Sequence, residues 1–157
     1  MNNRGFTLTE LLVTIAIIGI LAAVAVTSYV GVILKAARSE AYSNLQSLRL
    51  LEEQFFADNA RYTISLGAAG KDNPGNVNTI QTGGGDPTNA LPGFRPGTGQ
   101  SFSYSIVQNR QIDTPVTNPP TWATVQTPCF TAIASGNTGT RVAGDFFAID
   151  CNNNRNF

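Results

Sequence analysis

Residues 11–34, LLVTIAIIGILAAVAVTSYVGVIL, carry no charged side chain, and Glu10 and Lys35 bound the stretch. As a helix it would span roughly 36 Å at 1.5 Å per residue, enough for the hydrocarbon core of a bilayer. It is too long for the apolar part of a secretory signal, and no small-residue cleavage site follows it in the right context. A helix greasy on every side belongs inside protein or inside lipid. A buried soluble helix is the plainer alternative, and the length argues against it. The basic flanks say less about orientation. Arg4 precedes the run, and Lys35 and Arg38 follow it, which slightly favours a cytoplasmic C-terminal part. The remainder of the chain has the look of an exported domain, and long domains translocate largely regardless of that bias.

No proline occurs before Pro74, so nothing of that kind stops the helix at the membrane boundary. On a helical wheel Leu34, Ala37, Ala41, Leu45, Leu48, Leu51, Phe55 and Phe56 fall in one arc, the width of a core-facing stripe. Lys35, Arg38, Ser39, Ser43, Gln46, Arg49, Glu53 and Gln54 fall outside it. Asn44 and Glu52 interrupt the stripe, and Leu50 lies off it. The pattern predicts one helix of about 50 residues, apolar all round in its first half and amphipathic in its second, fraying near residues 58–60.

Beyond residue 57 the composition changes. All eight prolines and most of the 15 glycines lie there. Segment 67–100 contains GAAGKDNPGN, TGGGDPTN and PGFRPGTG and reads as a long surface loop. Three short strand-like runs follow: residues 102–107, Trp122 to Ala134 with a break around Pro128, and Ala143 to Cys151. The expectation is α+β: a long N-terminal helix packed on a small C-terminal antiparallel sheet of three or four strands.

Composition narrows the chemistry. The chain has 157 residues, enough for one modest domain, and its ten acidic and ten basic residues cancel. That balance argues against a protein built mainly to hold nucleic acid. Arg95, Arg110, Arg141 and Arg155 are scattered through the tail, and sequence alone does not gather them into a patch. Histidine is absent, which removes imidazole-based nucleophile arrangements and imidazole zinc sites. Nothing in the sequence asks for catalysis or a cofactor. Asp145, Asp150 and residues 152–154 offer oxygen ligands, but without EF-hand spacing, so turn chemistry explains them better than a metal. The aromatic series Phe6, Tyr29, Tyr42, Phe55, Phe56 and Tyr62 reads as packing. Cys129 and Cys151 read equally well as two small buried hydrophobes or as a disulfide.

The run from Gly5 to Glu10, GFTLTE, followed by the apolar stretch, resembles the processing and anchor segment of type IV pilins and the related pseudopilins. The resemblance is close over residues 4–35 and looser over residues 48–63, LRLLEEQFFADNARYT. It implies a leader of residues 1–5, a membrane and assembly helix over 6–34, and a head over 35–157. That head would comprise an amphipathic helix over 35–57, a loop over 58–100, and a sheet with a disulfide-bounded region over 101–157. It implies cleavage after Gly5 by a prepilin peptidase, N-methylation of Phe6, and pairing of Glu10 with the N-terminal ammonium of a neighbouring subunit. It implies a Cys129–Cys151 disulfide, a helical filament of many copies, inner-membrane assembly machinery and a bilayer home before assembly. Filaments of this kind serve adhesion, motility or DNA uptake. Many major pilins carry proline at the position of Thr27, a departure that bears on whether the helix melts between Gly19 and Thr27. Gly19, Ala22, Ala23 and Ala25 would let neighbouring helices approach closely. Read without the resemblance, Glu10 is an acid in a first helical turn, favoured there by the helix dipole.

Overall fold

The computed structural model describes residues 6–97, 101–123 and 127–157. Residues 1–5, and with them the leader and Gly5, lie outside the described residues. The chain divides into two compact units, one ending at Ala36 and one running from Ala37 to Phe157. The first helix, α1, covers Leu8–Asn59 and contributes to both.

In the first unit α1 is apolar all round, and its large side chains from Leu8 through Val26 stand open, with Leu11 60% and Ile20 68% exposed. Thr14, the one polar residue between Leu11 and Val26, donates its hydroxyl to the Glu10 carbonyl at 2.6 Å and so spends its polarity within the helix. At Gly19 an added Cβ would meet nothing within 4 Å.

In the second unit α1 presents a narrow buried stripe. Ala41, Leu45, Leu48 and Glu52 lose all their exposed surface, at the spacing of one helical face. Leu50, off that face, is 64% exposed. The helix ends on Ala60, whose φ of 54° is left-handed. The Ala60 amide bonds back to the Phe56 carbonyl at 2.8 Å, an αL C-cap.

Five strands follow: β1 Phe102–Gln108, β2 Gln111–Ile112, β3 Trp122–Ala123, β4 Phe130–Gly136 and β5 Phe146–Asp150. They form an antiparallel sheet in the order β1-β4-β5 and a two-stranded ribbon of β2 and β3. Tyr104 opposes Ala134, which opposes Phe147, fixing one face. That face receives α1: Asn44 donates to the Tyr104 hydroxyl at 2.8 Å, and Tyr42 meets Phe147 edge-on at 4.8 Å. The other face is covered too. Ile133 and Ala148 form a cluster with Ile112 of the ribbon, flanked by Val107, Val116 and Phe146. Both sheet edges are capped, by the Leu66–Ile106 bridge beside β1 and the Ile149–Arg155 bridge beside β5, which blunts edge-to-edge pairing.

The reading of 67–100 as a loop is corrected. A second helix, α2 Asn76–Thr82, and two 3-10 turns occupy it, and Ile80, Leu91 and Phe94 are buried. The polar, glycine-rich composition hides this order because polar side chains supply it. Asn76 accepts the Ala68 amide and donates to the Ala68 and Tyr104 carbonyls. Gly83 ends α2 at φ 69°, where a Cβ would lie 2.8 Å from the Ala90 nitrogen. The expected second strand run is split around Pro128 into β3 and β4, residues 124–126 lying outside the described residues. β2 is too short for an alternating pattern to announce it.

Candidate functional site

The start of α1 is a capping box. Thr7 precedes the first helical residue, and its hydroxyl oxygen accepts the Glu10 amide at 3.2 Å. Glu10 returns the favour: its Oε2 accepts the Thr7 amide at 2.9 Å and the Thr7 hydroxyl at 2.8 Å. Two amides that a helix start leaves unpaired are thereby satisfied. Among the described residues Oε1 has no hydrogen-bond partner, so half of the carboxylate is open. Phe6 stands immediately ahead of the cap and is 87% exposed. Thr7 is not among the residues singled out from sequence, yet its T-x-x-E spacing to Glu10 is the signature that identifies it.

Among the described residues one helix, α1, is long and apolar enough to cross a membrane. Glu10 therefore sits at the front of a segment that lipid or protein must cover. A carboxylate drawn into hydrocarbon is costly unless it finds a partner. The cap supplies two donors and no positive charge.

The two cysteines meet at the far end of the sheet. Cys129 precedes β4 and Cys151 follows β5; they form a disulfide with Cα atoms 5.4 Å apart and a sequence separation of 22. It closes the open end of the β4–β5 hairpin. The aspartates of this region are committed to the fold. Asp145 takes the Arg38 guanidinium through two hydrogen bonds. Asp150 accepts the amides of Ile112, Asn152 and Asn154 and the Asn154 side chain. Among the described residues no group of three metal-ligating side chains comes together.

The aromatic series divides. Phe6 and Tyr29 are exposed on the first unit, whereas Tyr42 and Tyr62 are packed against rings of the second. Of the scattered arginines, Arg110 lies over Trp122 at 4.6 Å and Arg155 over Phe157 at 5.7 Å.

Comparison with known proteins bears on the same end of the chain. Residues 1–26 match the family described as the prokaryotic N-terminal methylation motif. The chain is 44% identical over 62 residues to the type IV major pilin protein PilA of Myxococcus xanthus, covering 40% of this chain and 28% of that one. It is 36% identical over 68 residues to the fimbrial protein EcpC of Eikenella corrodens, covering 43% of this chain and 44% of that one. It is 42% identical over 61 residues to the type II secretion system core protein G of Pectobacterium carotovorum subsp. carotovorum, covering 39% of each. The matched segments thus span less than half the length of these relatives. No solved structure matches the chain. Over about two-fifths of its length, from the N-terminal methylation motif onward, the chain is similar to type IV pilins and to a type II secretion pseudopilin, and the helix packed on a small antiparallel sheet behind that motif is pilin-like.

Proposed function

We propose that the chain is a structural subunit of a type IV pilus. Its precursor is held in the bacterial inner membrane by residues 6–34, with the N terminus in the cytoplasm. A prepilin peptidase cuts after Gly5 and methylates Phe6. Assembly machinery in that membrane then packs the subunits into a helical extracellular filament. The observation that carries this reading is a methylation motif over residues 1–26 set on a helix whose apolar side chains are exposed from Leu8 to Val26. Such a surface suits lipid before assembly and sister helices after it.

Glu10 has the register-setting role in this reading. Cleavage after Gly5 frees an ammonium on Phe6. The open Oε1 of a neighbour's Glu10 accepts it while Oε2 keeps its hold on Thr7. In a filament core of low dielectric the two charges attract strongly, and one acid per subunit selects one stagger. The chain's own chemistry is assembly, without a cofactor.

A second reading, a type II secretion pseudopilin, is favoured by the match to core protein G. Both share the processing step, and mass spectrometry of the membrane-extracted protein tests it. Loss of residues 1–5 with one added methyl on Phe6 is expected. An intact N terminus in cells with an active peptidase would instead indicate an uncleaved single-pass anchored domain. Glu10→Ala is expected to abolish or disorder filaments while leaving membrane insertion intact. Normal filaments from that variant would refute the pairing.

A further inference from the structure

Glu52 breaks the apolar stripe of α1, and none of its surface is exposed. Its carboxyl meets a single residue. Oε2 accepts the Thr63 amide at 3.1 Å, and Oε1 shares a short hydrogen bond with the Thr63 hydroxyl. No cation pairs with it among the described residues. Among the described residues Arg49, one turn earlier on α1, makes no ion pair, and its buried Nε has no hydrogen-bond partner. Glu53, the next residue, is turned to the Tyr62 hydroxyl at 3.4 Å. Arg61, on the segment after the helix, is bound to Asn89 and the Thr88 carbonyl. From the sheet, the Phe130 ring lies against Tyr62 and brings no charge.

A carboxylate without exposure, without a cation and with donors from one residue is costly, whereas the neutral acid is not. Burial pushes the Glu52 pKa up to about 7 against the pull of the Thr63 hydrogen bonds, and Glu53 adds to the rise.

Thr63 sits on a strap with two further attachments. The strap leaves α1 at the left-handed Ala60 and ends at Leu66, which exchanges both backbone hydrogen bonds with Ile106 at 2.9 and 2.8 Å. Between them Arg61 ties it to the turn at Thr88 and Asn89. We propose that Glu52 and Thr63 form a proton-dependent latch between the end of α1 and this strap: it supports the fold most while the carboxyl is neutral, and on ionisation the cost of the buried charge outweighs the Thr63 hydrogen bonds and destabilises the junction. The latch lies wholly in the second unit and does not depend on the filament reading.

The sign follows from linkage. Below about pH 4.5, the ordinary value for this group, folded and unfolded chains both hold the proton, and the latch contributes fully. As the pH rises toward about 7 the unfolded chain releases its proton first, and folding loses ground. Above that the loss is complete, on the order of 100-fold in the unfolding equilibrium.

The test uses the full chain in detergent micelles with carboxyl-labelled glutamate. The Glu52 resonance is expected to titrate near neutral pH, with the Thr63 amide proton shifting at the same midpoint. Between pH 4.5 and 8 the unfolding equilibrium of the unaltered chain is expected to shift on the order of 100-fold more than that of Glu52→Gln. Titration of Glu52 in the ordinary carboxylate range would overturn the proposal, as would identical pH dependence in the two proteins. Should Glu52→Gln not fold, the carboxyl and amide titrations of the unaltered chain decide alone.

Discussion

Arg38 of α1 holds Asp145, 107 residues away in sequence, with a fork: Nε to Oδ2 at 2.7 Å and Nη2 to Oδ1 at 2.9 Å. The contact ties the helix to the turn that feeds β5, so it fixes where the disulfide-closed hairpin meets the helix. The two side chains are 39% and 20% exposed, which places the pair between a surface bridge and a buried one. A bidentate pair in that setting contributes about 1 kcal/mol. A double-mutant cycle of Arg38→Ala and Asp145→Ala, read by chemical denaturation, is expected to return a coupling of that size that shrinks with added salt. Arg38→Lys should recover little of it, because a lysine cannot reproduce the fork. A coupling near zero would mean the contact follows the fold and does not support it.

Ala60 occupies a position made for glycine. Its φ of 54° lies in the left-handed region, where a Cβ is penalised and glycine is not. Ala60→Gly relieves that strain and keeps the hydrogen bond to Phe56. The expected outcome is a gain of about 1 kcal/mol, offset in part by the greater freedom of glycine in the unfolded chain. Thermal unfolding of the two proteins side by side checks it. A loss of stability would show that the Ala60 methyl contributes packing that outweighs the strain.

Cys129 and Cys151 join the outer ends of adjacent strands, and Cys151 also donates its amide to the Phe130 carbonyl at 3.1 Å. Because β4 and β5 are already paired in register, the disulfide acts mostly by limiting the unfolded chain. A loop of this length gives about 3 kcal/mol in the chain-entropy model. The Cys129→Ser, Cys151→Ser double variant is expected to unfold at correspondingly lower denaturant with its sheet intact when folded. Reductant is expected to shift the unaltered chain the same way and leave the double variant unchanged.

The helix was the most legible part of this chain because its signal repeats over many turns. The apolar run and the stripe through Ala41, Leu45 and Leu48 are both plain in the sequence, and the structure buries those three. Segment 67–100 was not legible, since its order comes from single polar contacts such as those of Asn76, which leave no periodic trace. Asn44 and Glu52 look like defects in the stripe; each instead has one specific partner from beyond the helix, Tyr104 on β1 and Thr63 on the strap that follows α1, and pattern alone does not reveal partners. At the N terminus, the specific Gly-Phe-Thr-Leu-Thr-Glu run drew attention to Glu10, while Thr7, which holds it, announced itself only through spacing. The ribbon of β2 and β3 has two residues per strand, below what alternation can register.

Asn44 shows what such an interruption costs and gains. Its Nδ2 donates to the Tyr104 hydroxyl at 2.8 Å between helix and sheet, where Tyr104 is 2% exposed. Burial pushes the Tyr104 pKa up to about 12, the Asn44 hydrogen bond pulling the other way, so the phenol stays neutral across the useful pH range. Tyr104→Phe keeps the ring, including its edge contact with Phe94 at 5.4 Å, and removes only the acceptor. It is expected to cost about 1–2 kcal/mol, the penalty of a half-buried amide left unpaired. Asn44→Leu with Tyr104→Phe removes both polar groups and restores an apolar stripe, so the double variant should recover much of that loss. Denaturant unfolding of the three variants separates the cases. If the double variant is as unstable as the sum of the singles, the hydrogen bond is not what makes these two residues depend on each other.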